Sequence, residues 1–171
     1  MDDAAALPLD METKVIERPG DHKDELRLWL RLFSCKTLIE GEIRRRLREK
    51  FDMTLPRFDL MAQLDKAPAG MRLGELSQRL MVSNGNLTGL VHRLVKQGLL
   101  ERHPAPNDGR AQVVKLSAAG RRSFRAMAAS HEDWIAEIFA DLAPGEIEAL
   151  RHLLGKAKTS ARKATAGRDQ R

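Results

Sequence analysis

Between Ser83 and Ser117 the hydrophobic period of the chain changes from helical to alternating, with a turn signal at the change. The stretch "VSNGNLTGLVHRLVKQG" spaces Leu87, Leu90, Val91, Leu94 and Val95 at three- and four-residue steps, which gives a helix one apolar face. Ser83 stands where an N-cap belongs, and Gly98 where a C′ glycine ends a helix. "NDGRAQVVKLS" then opens on the turn formers Asn107, Asp108 and Gly109 and closes on Val113, Val114 and Leu116, which favour strands. A chain written this way makes a helix, stops, and returns as a two-stranded ribbon. The strands are expected around Leu99–His103 and Gln112–Leu116, with Arg110 at or beside the hairpin tip.

The flanks are helical. Residues 22–50 repeat Leu28, Leu32, Cys35, Ile39, Ile43 and Leu47 at helical steps, flanked by Leu26, Trp29, Leu30 and Phe33. That stripe is wide enough to need cover on two sides. A helix beginning near Pro56 stops before Pro68, and a short helix spans Leu73 to Leu80. Ser117 caps a long helix to about Ala140, with Phe124, Met127, His131, Trp134 and Ile138 on one face. Pro144 opens a last helix carrying Ile147, Leu150, Leu153 and Leu154, and the basic chain from Lys158 onward is expected to fray. The expected fold is mainly α with a small β-hairpin wing: a winged helix-turn-helix at 54–117, a flexible arm at 1–21, dimerisation helices at 22–50 and 118–160, and a basic tail at 161–171.

Charge placement narrows the function. The chain of 171 residues has a net charge of +6, and residues 70–125 hold 10 Lys/Arg against 3 Asp/Glu, net +7. The segments on either side come to −1 and 0. A local basic excess suits a polyanion such as nucleic acid, or is a solvated basic face. One cysteine, Cys35, excludes an intramolecular disulfide framework. There is no apolar run long enough to span a bilayer, and the acidic N-terminus lacks an apolar h-region, so the expected location is the cytoplasm. No Cys/His metal spacing, Gly-rich phosphate loop or Gly-x-Ser-x-Gly elbow is present, and the five histidines are scattered, so neither an enzyme nor a cofactor is expected.

The first turns of a helix that enters the major groove meet the base edges. Here they carry Ser83, Asn84, Gly85, Asn86, Thr88 and Gly89, short polar side chains or none. The same residues also suit a turn and an N-cap. One turn on, His92 and Arg93 can reach a phosphate, or Arg93 can pair within the fold. Arg102 and His103 on the first wing strand can touch the backbone. An arginine at a hairpin tip, Arg110, can enter a narrow minor groove, and Asp108 can accept from the hairpin backbone or brace the guanidinium.

The stretch "GELSQRLMVSNGNLTGLVHRLVKQGLLERHPAPNDGRAQVVKLSAAGR" resembles the winged helix-turn-helix of MarR-type transcriptional regulators. Its sharpest part is Asp108-x-Arg110 followed by Val113, Leu116 and Ser117. The order and length of the flanking helices extend the likeness to about residues 22–160. The resemblance implies a homodimer with intertwined end helices, a palindromic double-stranded DNA operator, and a small ligand or oxidant that alters DNA affinity, with repression the commoner outcome. Independently, the end helices carry more apolar surface than a small wing domain can cover, which also points to a two-fold dimer.

In this family effectors often lodge where the dimerisation helices meet the reading head. Trp29, Phe33, Phe58, Met61, His131 and Trp134 are candidates to line such a pocket, with Arg31, Arg27 or His131 for a carboxylate, which suits an aromatic acid or its thioester. The same aromatic residues also suit an ordinary core. Cys35 offers oxidation sensing instead, although its place on the apolar stripe is expected to keep it inert and the chain has no tyrosine to assist it. A non-specific nucleic-acid-binding protein is the remaining alternative, without aromatic platforms on its strands.

Overall fold

The computed structural model describes residues 23–105 and 108–166, with the side chains of Lys23, Ala105 and residues 108–111 left out. Among these described residues nine elements follow in order: α1 (Lys23–Phe51), α2 (Leu55–Asp65), β1 (Met71–Arg72), α3 (Leu73–Leu80), α4 (Asn84–Lys96), β2 (Leu100–Ala105), β3 (Asp108–Leu116), α5 (Ala118–Ile138) and α6 (Pro144–Ala166). The chain divides into two compact units, one to His131 and one from Glu132.

In the first unit β1, β3 and β2 form an antiparallel sheet in that order. Met71 faces Val114, and Leu100 faces Leu116. The two-residue β1 has no sequence signature of its own; it exists because β3 continues past the hairpin far enough to pair with it. The register shifts between Pro104 and Ala105, and proline supplies no ladder N–H there. The core is Leu47, Leu60, Met61, Leu64, Leu76, Leu87, Val91, Leu94, Val114 and Met127, all fully buried. The apolar spacing of α4 therefore has its expected effect: Leu87, Val91 and Leu94 turn inward, and Leu90 is half-buried.

In the second unit α6 has no buried residue, and Ile147, Leu150, Leu153 and Leu154 are exposed along it. An apolar groove of about 450 Å³ runs between Ile135, Phe139 and Leu142 on one side and Ile147, Leu150 and Leu154 on the other. The expectation of a fraying chain from Lys158 and a tail from 161 is corrected here. The helix continues to Ala166, because Ala157, Ala161, Ala164 and the lysines and arginines between them are good helix formers. Thr159 and Thr165 turn their hydroxyls back onto backbone carbonyls of the same helix. Among the described residues no helix is long and apolar enough to cross a membrane.

Candidate nucleic-acid interface

The α3–α4 pair is held by its turn. Met81 closes α3 in the left-handed conformation. The Val82 N–H donates to the Ser77 carbonyl at 3.2 Å, and the Ser77 hydroxyl donates to the Val82 carbonyl at 3.0 Å. Two bonds from one residue thus fix the entry to α4. Ser83 caps it, its hydroxyl accepting from the Asn86 N–H at 3.4 Å. Thr88 donates to the Asn84 carbonyl at 2.8 Å, leaving its methyl group and the Asn84 side chain outside the helix.

With the apolar face turned inward, Ser83, Asn84, Gly85, Asn86, Thr88, His92 and Arg93 are all exposed, and Gly89 is half-buried. A groove of about 410 Å³ lies along this helix, lined by Pro56 of α2 with Val82, Gly85, Asn86, Gly89, Leu90 and Arg93. A Cβ added at Gly85 or Gly89 would meet nothing within 4 Å. These glycines therefore relieve no internal clash; they flatten the outer surface of the helix, where another molecule can approach its backbone. Arg93 makes no ion pair among the described residues.

The wing is anchored at its base. Arg102 is exposed opposite Val114, His103 contacts Glu101 at 2.9 Å, and Lys115 lies 3.7 Å from the same carboxylate. The Glu101 carboxyl is lowered by its bond to His103 and by Lys115. Asp108 and Arg110 belong to β3, which places them at the end of the hairpin, while their side chains lie outside the described residues, as do Pro106 and Asn107 altogether. At the other end, the Ser117 hydroxyl donates to the Gly98 carbonyl at 2.6 Å and accepts from the Gly120 N–H at 2.9 Å. Gly98 has φ +70°, as its C′ position requires.

The candidate effector residues of the first unit fall into two sets. Phe58 stands 5.1 Å from His131 and 5.5 Å from Phe124, ring centre to ring centre, and Met61 is wholly buried in the core. Trp29 and Phe33 form an exposed pair, 6.1 Å apart on α1, with Arg31 exposed between them. Arg27 pairs with Asp24 at 3.1 Å. Trp134 is buried in the second unit. Sequence reasoning missed Asp59, which is half-buried beside Phe58. Burial pushes its carboxyl above the usual range and Glu40 adds to this, while His131 and Arg44 pull it down. Cys35 is exposed, which corrects the expectation of a stripe-buried thiol: among the described residues of the first unit nothing covers this part of α1. No cluster of metal-ligating side chains occurs among the described residues.

Known proteins share this architecture. The family model described as "MarR family" matches residues 51–111. The transcriptional activatory protein BadR of Rhodopseudomonas palustris is 28% identical over 145 residues, 82% of each chain. The multiple antibiotic resistance protein MarR of Escherichia coli is 32% identical over 106 residues, 61% of this chain and 73% of that one. The chain belongs to the MarR family. A solved MarR-family transcriptional regulator from Silicibacter pomeroyi, 30% identical, superposes with a TM-score of 0.69 over 84% of this chain and 99% of that one. The molecule is a MarR-family DNA-binding transcriptional regulator, and its relatives are regulators rather than enzymes. Within MarR-type architecture, α3 and α4 are the helix-turn-helix and β2–β3 the wing.

Proposed function

We propose that the protein is a homodimeric, cytoplasmic repressor that reads a palindromic DNA operator with the outer face of α4 and with Arg110 of the wing, and that an aromatic acid or its thioester releases it. The observation that carries the reading is the composition of the α4 surface. The first turns expose Ser83, Asn84, Gly85, Asn86 and Thr88, all short or polar, Gly85 and the half-buried Gly89 have open space above them, and the segment has net charge +7. Asn84 or Asn86 pairs with adenine, Ser83 and Thr88 with either strand, and His92, Arg93 and Arg102 with phosphates.

The dimer rests on uncovered apolar surface. Leu28 and Leu38 of α1 and Leu153 of α6 are each more than half exposed in the single chain. Such stripes do not stay in water on a soluble regulator; a second copy covers them.

The effector reading rests on His131, half-exposed at the edge of the Phe58–Phe124 cluster, and on the exposed Trp29–Phe33 pair with Arg31 beside it. A carboxylate drawn to His131 also meets Asp59, so its binding takes up a proton or displaces that carboxylate. The test is a titration with aromatic acids and their thioesters, read by tryptophan fluorescence and by DNA release. A true effector quenches fluorescence at stoichiometric ligand and weakens DNA binding, since the two affinities are reciprocal. His131→Ala then needs more ligand and binds DNA unchanged in its absence. A His131→Ala protein with the parent's ligand response returns His131 to a purely structural role.

One observation favours a second reading of the sign. The R. palustris relative is named an activator. A reporter whose expression falls when the regulator is deleted, rather than rises, supports activation.

A further inference from the structure

Met81 is 92% exposed, whereas Met53, Met61, Met71 and Met127 are at most 4% exposed. Its φ of 53° lies in the region that favours glycine. A long apolar side chain in that conformation, without cover, is doubly unfavourable on a folding criterion. Nor does it hold the turn, which is fixed by the two Ser77–Val82 bonds and by the Met81 backbone N–H donating to Gln78 at 3.3 Å. Met81 caps the end of α3 and stands two residues ahead of the N-cap Ser83, in the turn that leads into the exposed Asn84, Gly85 and Asn86 of α4. A thioether held on a rigid turn beside that surface is placed to pack on deoxyribose carbons or a thymine methyl.

We propose that Met81 is both an apolar DNA contact and a modification site, whose oxidation to the sulfoxide by a peroxide or hypochlorous acid weakens operator binding. The proposal rests on the reading of α4 as the DNA-reading helix. A sulfur lone pair takes the terminal oxygen of the peroxide as the O–O bond breaks. The sulfur is oxidised by two electrons, and the peroxide is reduced to an alcohol or water that keeps the proton. With hypochlorous acid, chloride and a proton leave instead. The sulfoxide carries a polar oxygen where an apolar surface met the DNA, and that oxygen is turned toward a phosphate-rich partner. Burial shields the other described methionines, and enzymatic reduction of the sulfoxide restores the thioether.

Cys35 is exposed and reacts with the same oxidants, so the experiment uses full-length protein carrying Cys35→Ser. A duplex selected from a random pool by the unoxidised protein is the probe. Hypochlorous acid is then titrated, oxidation sites are mapped by peptide mass, and affinity is read by fluorescence anisotropy. The expected result is an added oxygen at Met81 with Met53, Met61, Met71 and Met127 intact, and a loss of affinity of roughly tenfold or more that follows oxidation at Met81 rather than at Met1 or Met11. Met81→Leu, compared with its own affinity before oxidant, is indifferent to oxidant. Met81→Gln binds weakly without oxidant. Methionine sulfoxide reductase restores binding of the oxidised parent. An oxidised parent that binds like the unoxidised one overturns the proposal. So does a Met81→Leu protein that loses affinity on oxidation, which would assign the effect to another methionine. Failure of the unoxidised protein to select any duplex is read before oxidant is added and overturns the DNA reading itself.

Discussion

The Ser117 hydroxyl donates to the Gly98 carbonyl at 2.6 Å, joining the start of α5 to the residue that ends α4. The Ser117 N–H also donates to the Leu99 carbonyl at 3.0 Å, and an added Cβ at Gly120 would lie 1.9 Å from that oxygen. Reading helix, wing base and α5 thus meet at one rigid corner. α5 also carries His131 and Ser130, and Ser130 is bonded to Lys50 of α1 at 3.0 Å. A shift of α5 therefore has a short mechanical route to α4.

Ser117→Ala removes an N-cap and this link together. It is expected to cost about 1–2 kcal/mol of stability, measured by urea unfolding, and to weaken operator binding through loss of aim rather than of contact. Gly120→Ala is expected to cost more, because backbone rather than a flexible side chain fills the space. A Gly120→Ala protein as stable as the parent would show that the corner yields.

Much of this corner was legible in the sequence. Ser117 reads as a cap, Gly98 as a C′ residue, and the Leu87–Val91–Leu94 spacing as an inward face, because each depends on local chemistry alone. β1 was not legible, since two residues pair only because β3 passes them. Asp59 was not, since its environment comes from Glu40, Arg44 and His131 on other helices. Cys35 and Trp29 read as covered, because their periodicity is that of a buried stripe, yet both are exposed among the described residues. The end of α6 was misread because small and basic residues look like a tail yet hold a helix well. Met81 gave no signal, since a methionine in an apolar pattern reads as core.

The wing offers a sharper test of the DNA reading. Arg110→Ala is expected to weaken operator binding strongly while leaving the melting temperature unchanged, since a hairpin end adds little to the core. Arg110→Lys restores only part, keeping the charge without the planar fork. Anisotropy and thermal melts on the same samples check this; Arg110→Ala binding like wild type would remove the wing from the interface.

The carboxyls give opposite pH dependences. The raised Asp59 holds its proton more tightly in the folded chain than in the unfolded one. Its favourable contribution is complete below the ordinary Asp range and is lost as pH rises through the raised value. Asp59→Asn should therefore be more stable than the parent at neutral pH, with the gap closing in acid. Glu42 is lowered from 4.5 to about 2, chiefly by bonds to Arg45 and Arg46. Its contribution is present above 4.5 and is lost as pH falls toward 2, and it is small because the pairs are largely solvated. Urea unfolding across pH reads both; Asp59→Asn less stable than the parent at neutral pH would contradict the sign given to Asp59.

The exposed apolar stripes predict a dimer that charge can break. Leu28→Glu with Leu153→Glu should convert a dimer to a folded monomer in sedimentation equilibrium, with circular dichroism unchanged and palindrome binding lost. A parent that is already monomeric at micromolar concentration would contradict the two-fold account.

The central claim is that the outer N-terminal face of α4 reads DNA. Operator binding of Asn86→Ala and Lys96→Ala, measured side by side over a range of salt, tests it most directly. Asn86→Ala should cost roughly 1–3 kcal/mol and relax the base preference at one position of each half-site. Lys96→Ala, in the last turn of α4, should bind nearly as the parent does. All three proteins should lose affinity steeply as salt rises. Equal losses from both substitutions, or affinity that is flat with salt, would contradict the account.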